Sequence, residues 1–445
     1  MRSLRALPKW QRNLWTIIVV EILTLLAFNA SAILIPYHVQ NLGLTDRVRL
    51  TRWTGAYQSV GSITFAIATP IWGLLGDRFG RKTMLLRATS VLGLVLLGMI
   101  FCQTPSQLMA LRVLQGAMTG TPAAAAALLA SGTPKEHTAY ALGLLQAALY
   151  VGISLGPMMG GYVGDAYGYR TTFGVSLVLV ILALGLIVAL VREPERQAKP
   201  SEEASEAKPR QTLRQRLLSA RSVGAIVGLT LLTNLGASLV NPVMPLYVQQ
   251  LAAAPSRLAS ITGTIAGAGA LAAAISALVV GRAGDRIGRS RAMMVCLGGA
   301  ACASFMQSLT HTPLALGMWS TAVGLSLGGF SPSVSAELVA RIPQDRIGTV
   351  LGLNSSASSI GFGAGPLIGA WLMSHTDAPT VYRTTALVLG LLAVFVTQAS
   401  VLEGYIVGGL VALAGLCGLW RLERPPFFGN AGTADLPPHQ QKEQL

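Results

Sequence analysis

Two ionisable residues stand inside long apolar runs. Glu21 interrupts IIVVEILTLL in the first run and Arg112 interrupts LRVLQG in the fourth. An ion within hydrocarbon is costly, so such a residue is kept for a partner, a water-filled cavity or a proton. Glu21 could bind and release a proton during a cycle; the plainer alternative is an interfacial carboxylate paired with Arg12 or with a loop. Arg112 either faces a cavity, with Gln115 one turn on, or snorkels from near the end of its run to the headgroups. A third group is the segment GLLGDRFGRK, with Gly73, Asp77, Arg78, Gly80, Arg81 and Lys82. It returns as Gly281 to Ser290, with Asp285, Arg286 and Arg289. Its glycines permit a tight turn. Its acid can face the positive end of a helix while its bases hold anionic lipid or carboxylates. Such clusters either latch one side of the molecule shut or simply anchor a loop.

The rest of the chain says what must position these residues. Of 445 residues, 52% are hydrophobic and 11% charged, and the mean hydropathy is +0.56. A soluble protein carries roughly 25% charge, so this one is read as a polytopic membrane protein. The four cysteines show no CxxC or Cys/His ligand spacing, which argues against disulfides and a metal site. No HExxH, GxSxG or phosphate-loop pattern supports an enzyme. The net charge is +15, which raises nucleic-acid binding as a question. The positions of the charges answer it: 26 of the 33 Lys and Arg fall in segments that would all lie on one side of a bilayer. By the positive-inside rule these orient the spans, with the N-terminus and the C-terminus cytoplasmic in a plasma membrane. Arg47, Arg49 and Arg52 dissent, in an outer loop.

Apolar stretches long enough to cross a bilayer as helices are expected near 14–37, 53–75, 84–103, 107–131, 139–163 and 171–191. A second series is expected near 223–247, 259–281, 292–310, 314–339, 347–373 and within 383–420. The last region holds two apolar runs around Glu403, which leaves room for a thirteenth span. The chain therefore divides into an N-terminal six-helix bundle (1–192), a cytoplasmic linker (193–222), a C-terminal bundle (223–424) and a tail (425–445). The halves repeat: Pro36, Pro134, Gly156 and Pro157 superpose on Pro245, Pro343, Gly365 and Pro366, and LIPYHVQNLG is echoed by VMPLYVQQLA. Parallel repeats of this kind are one architecture of membrane transporters.

GLLGDRFGRK resembles the loop-two signature of the major facilitator superfamily, GxLxDRxGRK, at every fixed position. GISLGPMMGG, with Gly152, Gly156, Pro157, Gly160 and Gly161, resembles its antiporter signature, and Leu111–Gly116 resembles its RxxQG motif. WQRNL and PYHVQNLG narrow the likeness to the drug–proton antiporters with twelve spans, and within them to MdtG-like multidrug exporters. The resemblance implies an all-α polytopic fold of two pseudo-symmetric six-helix bundles, with one substrate cavity between them. It implies proton assistance by Arg112 and a latch between the loop-two acid and the eleventh helix, near Ile347. No cofactor is implied; the proton gradient is the energy source. The expected partners are a small molecule, protons and the lipid bilayer, with no nucleic acid, and the chain is expected to act as a monomer. The family's cavity-lining helices here carry Asn29, Tyr57, Gln58, Gln146, Tyr150, Asn234, Phe330 and Asn354, and with Gln115 these form the expected substrate set. Each amide alone serves equally well as interhelical glue. A sugar, metabolite or lipid transporter of the same fold is the nearest rival; a receptor or scaffold that transports nothing is a rival from another class.

Overall fold

The computed structural model describes residues 8–193, 213–252, 255–341 and 347–402, and apart from one 3-10 turn at Pro255–Arg257 the regular elements among them are α-helices. In lipid a helix satisfies its own backbone, which is why the Leu-, Ala- and Gly-rich runs take this form.

The first half begins with α1 (Lys9–Ala32) and α2 (Ile35–Asn41), which together make one span broken just before Pro36. It continues with α3 (Arg47–Phe79) and α4 (Arg81–Phe101). The fourth span is α5 (Pro105–Met118) and α6 (Thr121–Gly132), and the half closes with α7 (Lys135–Tyr167) and α8 (Tyr169–Leu190). The second half repeats this order. Its elements are α9 (Leu213–Ser238) with α10 (Val243–Leu251), α11 (Leu258–Ile287), α12 (Arg289–Ser308), α13 (Pro313–Leu327) with α14 (Phe330–Arg341), α15 (Ile347–His375) and α16 (Ala378–Leu402). The same two spans, the first and the fourth, are interrupted in both halves. The break in the fourth span is made by Gly120, whose φ of +116° favours glycine, and by Pro122 just beyond it.

Nine helical stretches among the described residues are long and apolar enough to cross a membrane. Three further helices, α3, α12 and α15, have 33, 20 and 29 residues and are long enough to span. They are less apolar because of arginines near their ends and, in α15, the run Asn354–Ser359. With these the expected twelve spans are present. The last begins at Ala378, earlier than the sequence suggests. The apolar run at 404–420, the thirteenth-span question and the tail 425–445 lie outside the described residues, as does 194–212 of the expected linker. The end of that linker is helical, because α9 starts at Leu213.

Packing obeys the repeat. Helix α1 lies against α7 and α8 as α9 lies against α15 and α16, α4 meets α8 as α12 meets α16, and α3 meets α5 as α11 meets α13. The halves join through two helix pairs, α7 with α11 and α3 with α15. The first half has its own core around Leu14, Ile17, Leu85, Leu128 and Ile187, and the second around Ile226, Leu297, Phe330, Leu338 and Leu392.

Candidate substrate cavity and gates

Small residues set how closely the spans approach. A Cβ on Gly152 or Gly156 would stand 2.6 or 2.7 Å from the Cβ of Leu25 or Asn29, and one on Gly160 would overlap the Ala30 backbone. The antiporter signature therefore seats α7 on α1. Its last glycine does something else: Gly161 turns to α11, where a Cβ would lie 2.8 Å from Ser260 Cα. Gly263 returns the contact against the Pro157 backbone. In the second half, Gly361, Gly365 and Gly369 seat α15 on α9 in the same way.

The two ends of the molecule differ. At the end carrying α2 and α10 the halves are interlocked. Tyr37 Oη donates to Pro245 O at 3.0 Å and lies 2.6 Å from Thr262 Oγ1. Gln40 and Gln249, matched places in the two halves, exchange amide hydrogen bonds of 3.0 and 3.1 Å. Asp165, at the end of α7, accepts from the Ala259 and Ser260 backbone N–H groups at 3.2 and 2.7 Å and from the Ser260 hydroxyl. A carboxylate from one half thus caps the first turn of α11 in the other. Arg52 Nε donates to Ser374 Oγ at 3.2 Å, so the loop that dissents from the charge rule spends one of its arginines on closure.

At the opposite end, which carries Arg81 and Arg289, the described contacts of the two signature loops stay within their own halves. Glu193 accepts from the Arg81 and Lys82 backbone N–H groups at 2.7 and 2.8 Å and caps α4. Arg81 also donates to Ala127 O, and Arg289 to Ala336 O at 3.1 Å. Gly80, at φ +94°, is needed here for its backbone and because a Cβ would stand 3.1 Å from the Glu193 carboxylate. Glu337, which the sequence places near Arg341, lies 3.9 Å from Arg289. Arg78 and Arg286 are exposed. The side chains of Asp77 and Asp285, and the start of α15 that the latch would engage, lie outside those described. Gly73, Gly143 and Gly352 face open space, and Ile67, Tyr140, Leu278 and Leu353 are exposed.

Between the interlocked end and the Arg81 end lies a cavity of about 460 Å³, walled by Phe28, Ser62, Phe65, Arg112 and Gln115 of the first half and by Ser359 and Phe362 of α15. A smaller one of about 190 Å³ lies beside Pro36, Tyr57, Gln58, Asn241 and Phe362. Arg112 borders both. Its Nη1 donates to Gln115 Oε1 at 2.7 Å and its Nε to Tyr57 O at 3.3 Å. The guanidinium sits 5.1 Å from the Tyr57 ring centroid and 5.8 Å from that of Phe28, within cation–π range. It therefore turns into the cavity and does not snorkel. Gly61 makes room for it, since a Cβ there would fall 2.5 Å from Cζ.

Glu21 is fully buried, with the Thr121 side chain at the start of α6 beside its carboxyl. It makes no described ion pair with Arg12 and is sealed behind the cavity wall, one turn from the wall residue Thr24. Its carboxyl is therefore away from solvent. The expected substrate set divides. Tyr57, Gln58 and Gln115 border the cavities. Asn29 and Asn234 donate to the carbonyls of Leu25 and Thr230, both at 2.8 Å. Phe330 is a correction: it is buried in the core of the second half. Gln146, Tyr150 and Asn354 are not on the walls of these two cavities, and the Asn354 Oδ1 is buried without a partner.

Asp165, Glu193, Gly61 and the Gln40–Gln249 pair are absent from the sequence reading. Asp165 had one available signal, an acid one turn beyond the antiporter signature. Gln40 and Gln249 are matched by the repeat, which does not say that they meet, and Glu193 and Gly61 act through neighbours distant in sequence and offered no signal.

Helices in two matching bundles, with a cavity between them shut at one end, define a membrane transporter, not an enzyme. The sequence model of the Major Facilitator Superfamily matches residues 17–252 and 226–428, and the chain belongs to that family. It is 33% identical over 395 residues to "Multidrug resistance protein MdtG" of Enterobacter lignolyticus (strain SCF1), covering 89% of this chain and 94% of that protein. To the protein of the same name from Rahnella sp. (strain Y9602) it is 32% identical over 380 residues, covering 85% and 91%. Among solved structures it resembles the nucleoside transporter NupG, with a TM-score of 0.68, 13% identity and coverage of 87% and 99%. It also resembles the human organic anion transporter MFSD10, with a TM-score of 0.57, 17% identity and coverage of 88% and 100%.

Proposed function

We propose that the protein exports amphiphilic drugs and similar small molecules in exchange for protons, by alternating access, as a monomer in the plasma membrane. The observation that supports this is the pairing of one largely apolar cavity, with Arg112 on its wall, and a buried Glu21 just behind that wall. The relatives named multidrug resistance proteins point the same way. The charge rule puts the Arg81 end in the cytoplasm together with both termini, so the form described is inward-open. A proton reaching Glu21 from outside neutralises it; the halves rock and the Asp165 cap and the Asp77 latch alternate. The potential supplies about 2.3 kcal/mol per charge per 100 mV. The cavity walls carry one cation and, among the described residues, no carboxylate, so neutral and anionic amphiphiles suit them better than cations.

The test is proton movement on adding substrate to proteoliposomes of the purified protein, across a panel of neutral, anionic and cationic amphiphiles and sugars. Proton flux with amphiphiles supports the reading. Flux with sugars alone replaces the substrate class, and no flux with any compound favours a receptor or scaffold.

A further inference from the structure

Arg87 lies within α4, more than a turn from its start. Its guanidinium stacks 3.5 Å from the centroid of the Trp72 ring. The ring is itself fixed, because Trp72 Nε1 donates at 2.7 Å to Ala117 O, at the carbonyl end of α5 where the fourth span breaks. Arg87 Nε and Nη1 are buried and have no hydrogen-bond partner. Arg87 also lines a cavity of about 160 Å³ bounded by Phe65, Trp72, Met84, Ala124 and Ala127, with Arg81 as a second cation on its wall. This chamber adjoins the central cavity, with which it shares Phe65, Thr119, Gly120 and Ala123.

A buried guanidinium with unmet N–H groups is costly unless an anion completes it. The fold does not require the pair. When Gly80 is laid on Gly288 and Arg81 on Arg289, the places of Trp72 and Arg87 are taken in the second half by Val280 and Val295. The chamber is too small for a drug-sized molecule, which needs roughly 300 Å³ or more. Its volume suits a compact anionic group with space beside it for an apolar neighbour. Planar guanidinium donors match phosphate oxygens two at a time.

We propose that this chamber, beside the central cavity, is a binding site for a phosphate-type anion held by Arg87 over Trp72. The group comes either from an anionic phospholipid or from a soluble phosphate.

The test uses the purified full-length protein in a neutral detergent with three probes: phosphatidylglycerol, phosphatidylcholine and inorganic phosphate. Native mass spectrometry reads lipid retention and thermal unfolding reads phosphate binding. Two variants are compared with the parent. Arg87→Met removes the charge and keeps an apolar side chain, as the second half has at this place. Ala124→Leu keeps Arg87 and fills the chamber. Retention of phosphatidylglycerol about tenfold above phosphatidylcholine, lost in both variants, supports the site with a lipid source. A phosphate-dependent rise in Tm lost in both, without lipid selectivity, supports it with a soluble source. If neither probe distinguishes the parent from either variant, the site does not exist.

Discussion

The two halves share one architecture and divide the chemistry unequally. Laid on each other by their prolines, Glu21 of the first half matches Thr230 of the second, whose hydroxyl merely donates to Ile226 O on its own helix. With Gly116 laid on Gly324, both glycines approach an equivalent carbonyl, of Gly61 in one case and Gly269 in the other. In that alignment Arg112 matches Ser320, which is held by Gln307 at 2.8 Å. Trp72 and Arg87 match two valines. The scaffold of tight glycine contacts and broken spans is therefore common to both halves, whereas Glu21, Arg87 and Arg112 have uncharged counterparts in the second. A scaffold must be duplicated to rock about a symmetric interface. A proton site needs only one acid, and each further buried ion would add a desolvation cost.

Neutralising the acid should break the comparison most severely. Glu21→Gln, inserted normally in the membrane, should lose about a hundredfold in proton-coupled transport, and Thr230→Val should stay within about twofold. Substrate-driven proton flux in proteoliposomes checks both; full activity of Glu21→Gln would remove the acid from the mechanism. Next in size is the space for the guanidinium. Gly61→Ala should cut transport about tenfold by displacing Arg112, while Gly269→Ala at the matching place should change it less than about threefold. Equal effects would mean that the glycines serve packing alone.

The interlocked end gives an intermediate effect. Asp165→Asn loses the charge that caps α11, a contribution on the order of 1 kcal/mol, so the closed form should open more often. A membrane-impermeant maleimide should then label Gln40→Cys about fivefold faster than in the parent with Asp165 intact. Unchanged labelling would confine Asp165 to stability. The smallest effect should be Asn29→Ala, within about twofold in transport, because its amide is already spent on Leu25 O. A large change in substrate preference there would restore Asn29 to the site.

Much was readable from residue order alone. Spans, repeat, signature loops and the oddity of Glu21 and Arg112 follow from local hydropathy and spacing, since lipid forces each apolar run into a helix whatever its neighbours do. The family was likewise carried by short motifs in GLLGDRFGRK and GISLGPMMGG. Which face of each helix met the cavity was not readable. An amide on a span satisfies itself on its own backbone or on a ligand according to the rotation of the helix, and that rotation is fixed by contacts such as Gly156 on Asn29 or Gly361 on Asn234. For that reason Tyr57, Gln58 and Gln115 reached the cavities, while Asn29 and Asn234 did not and Phe330 went to the core. Tertiary structure alone brought Asp165 to α11, Gln40 to Gln249 and Arg87 to Trp72. These pairings are long-range and electrostatic or steric, so no periodicity along the chain encodes them.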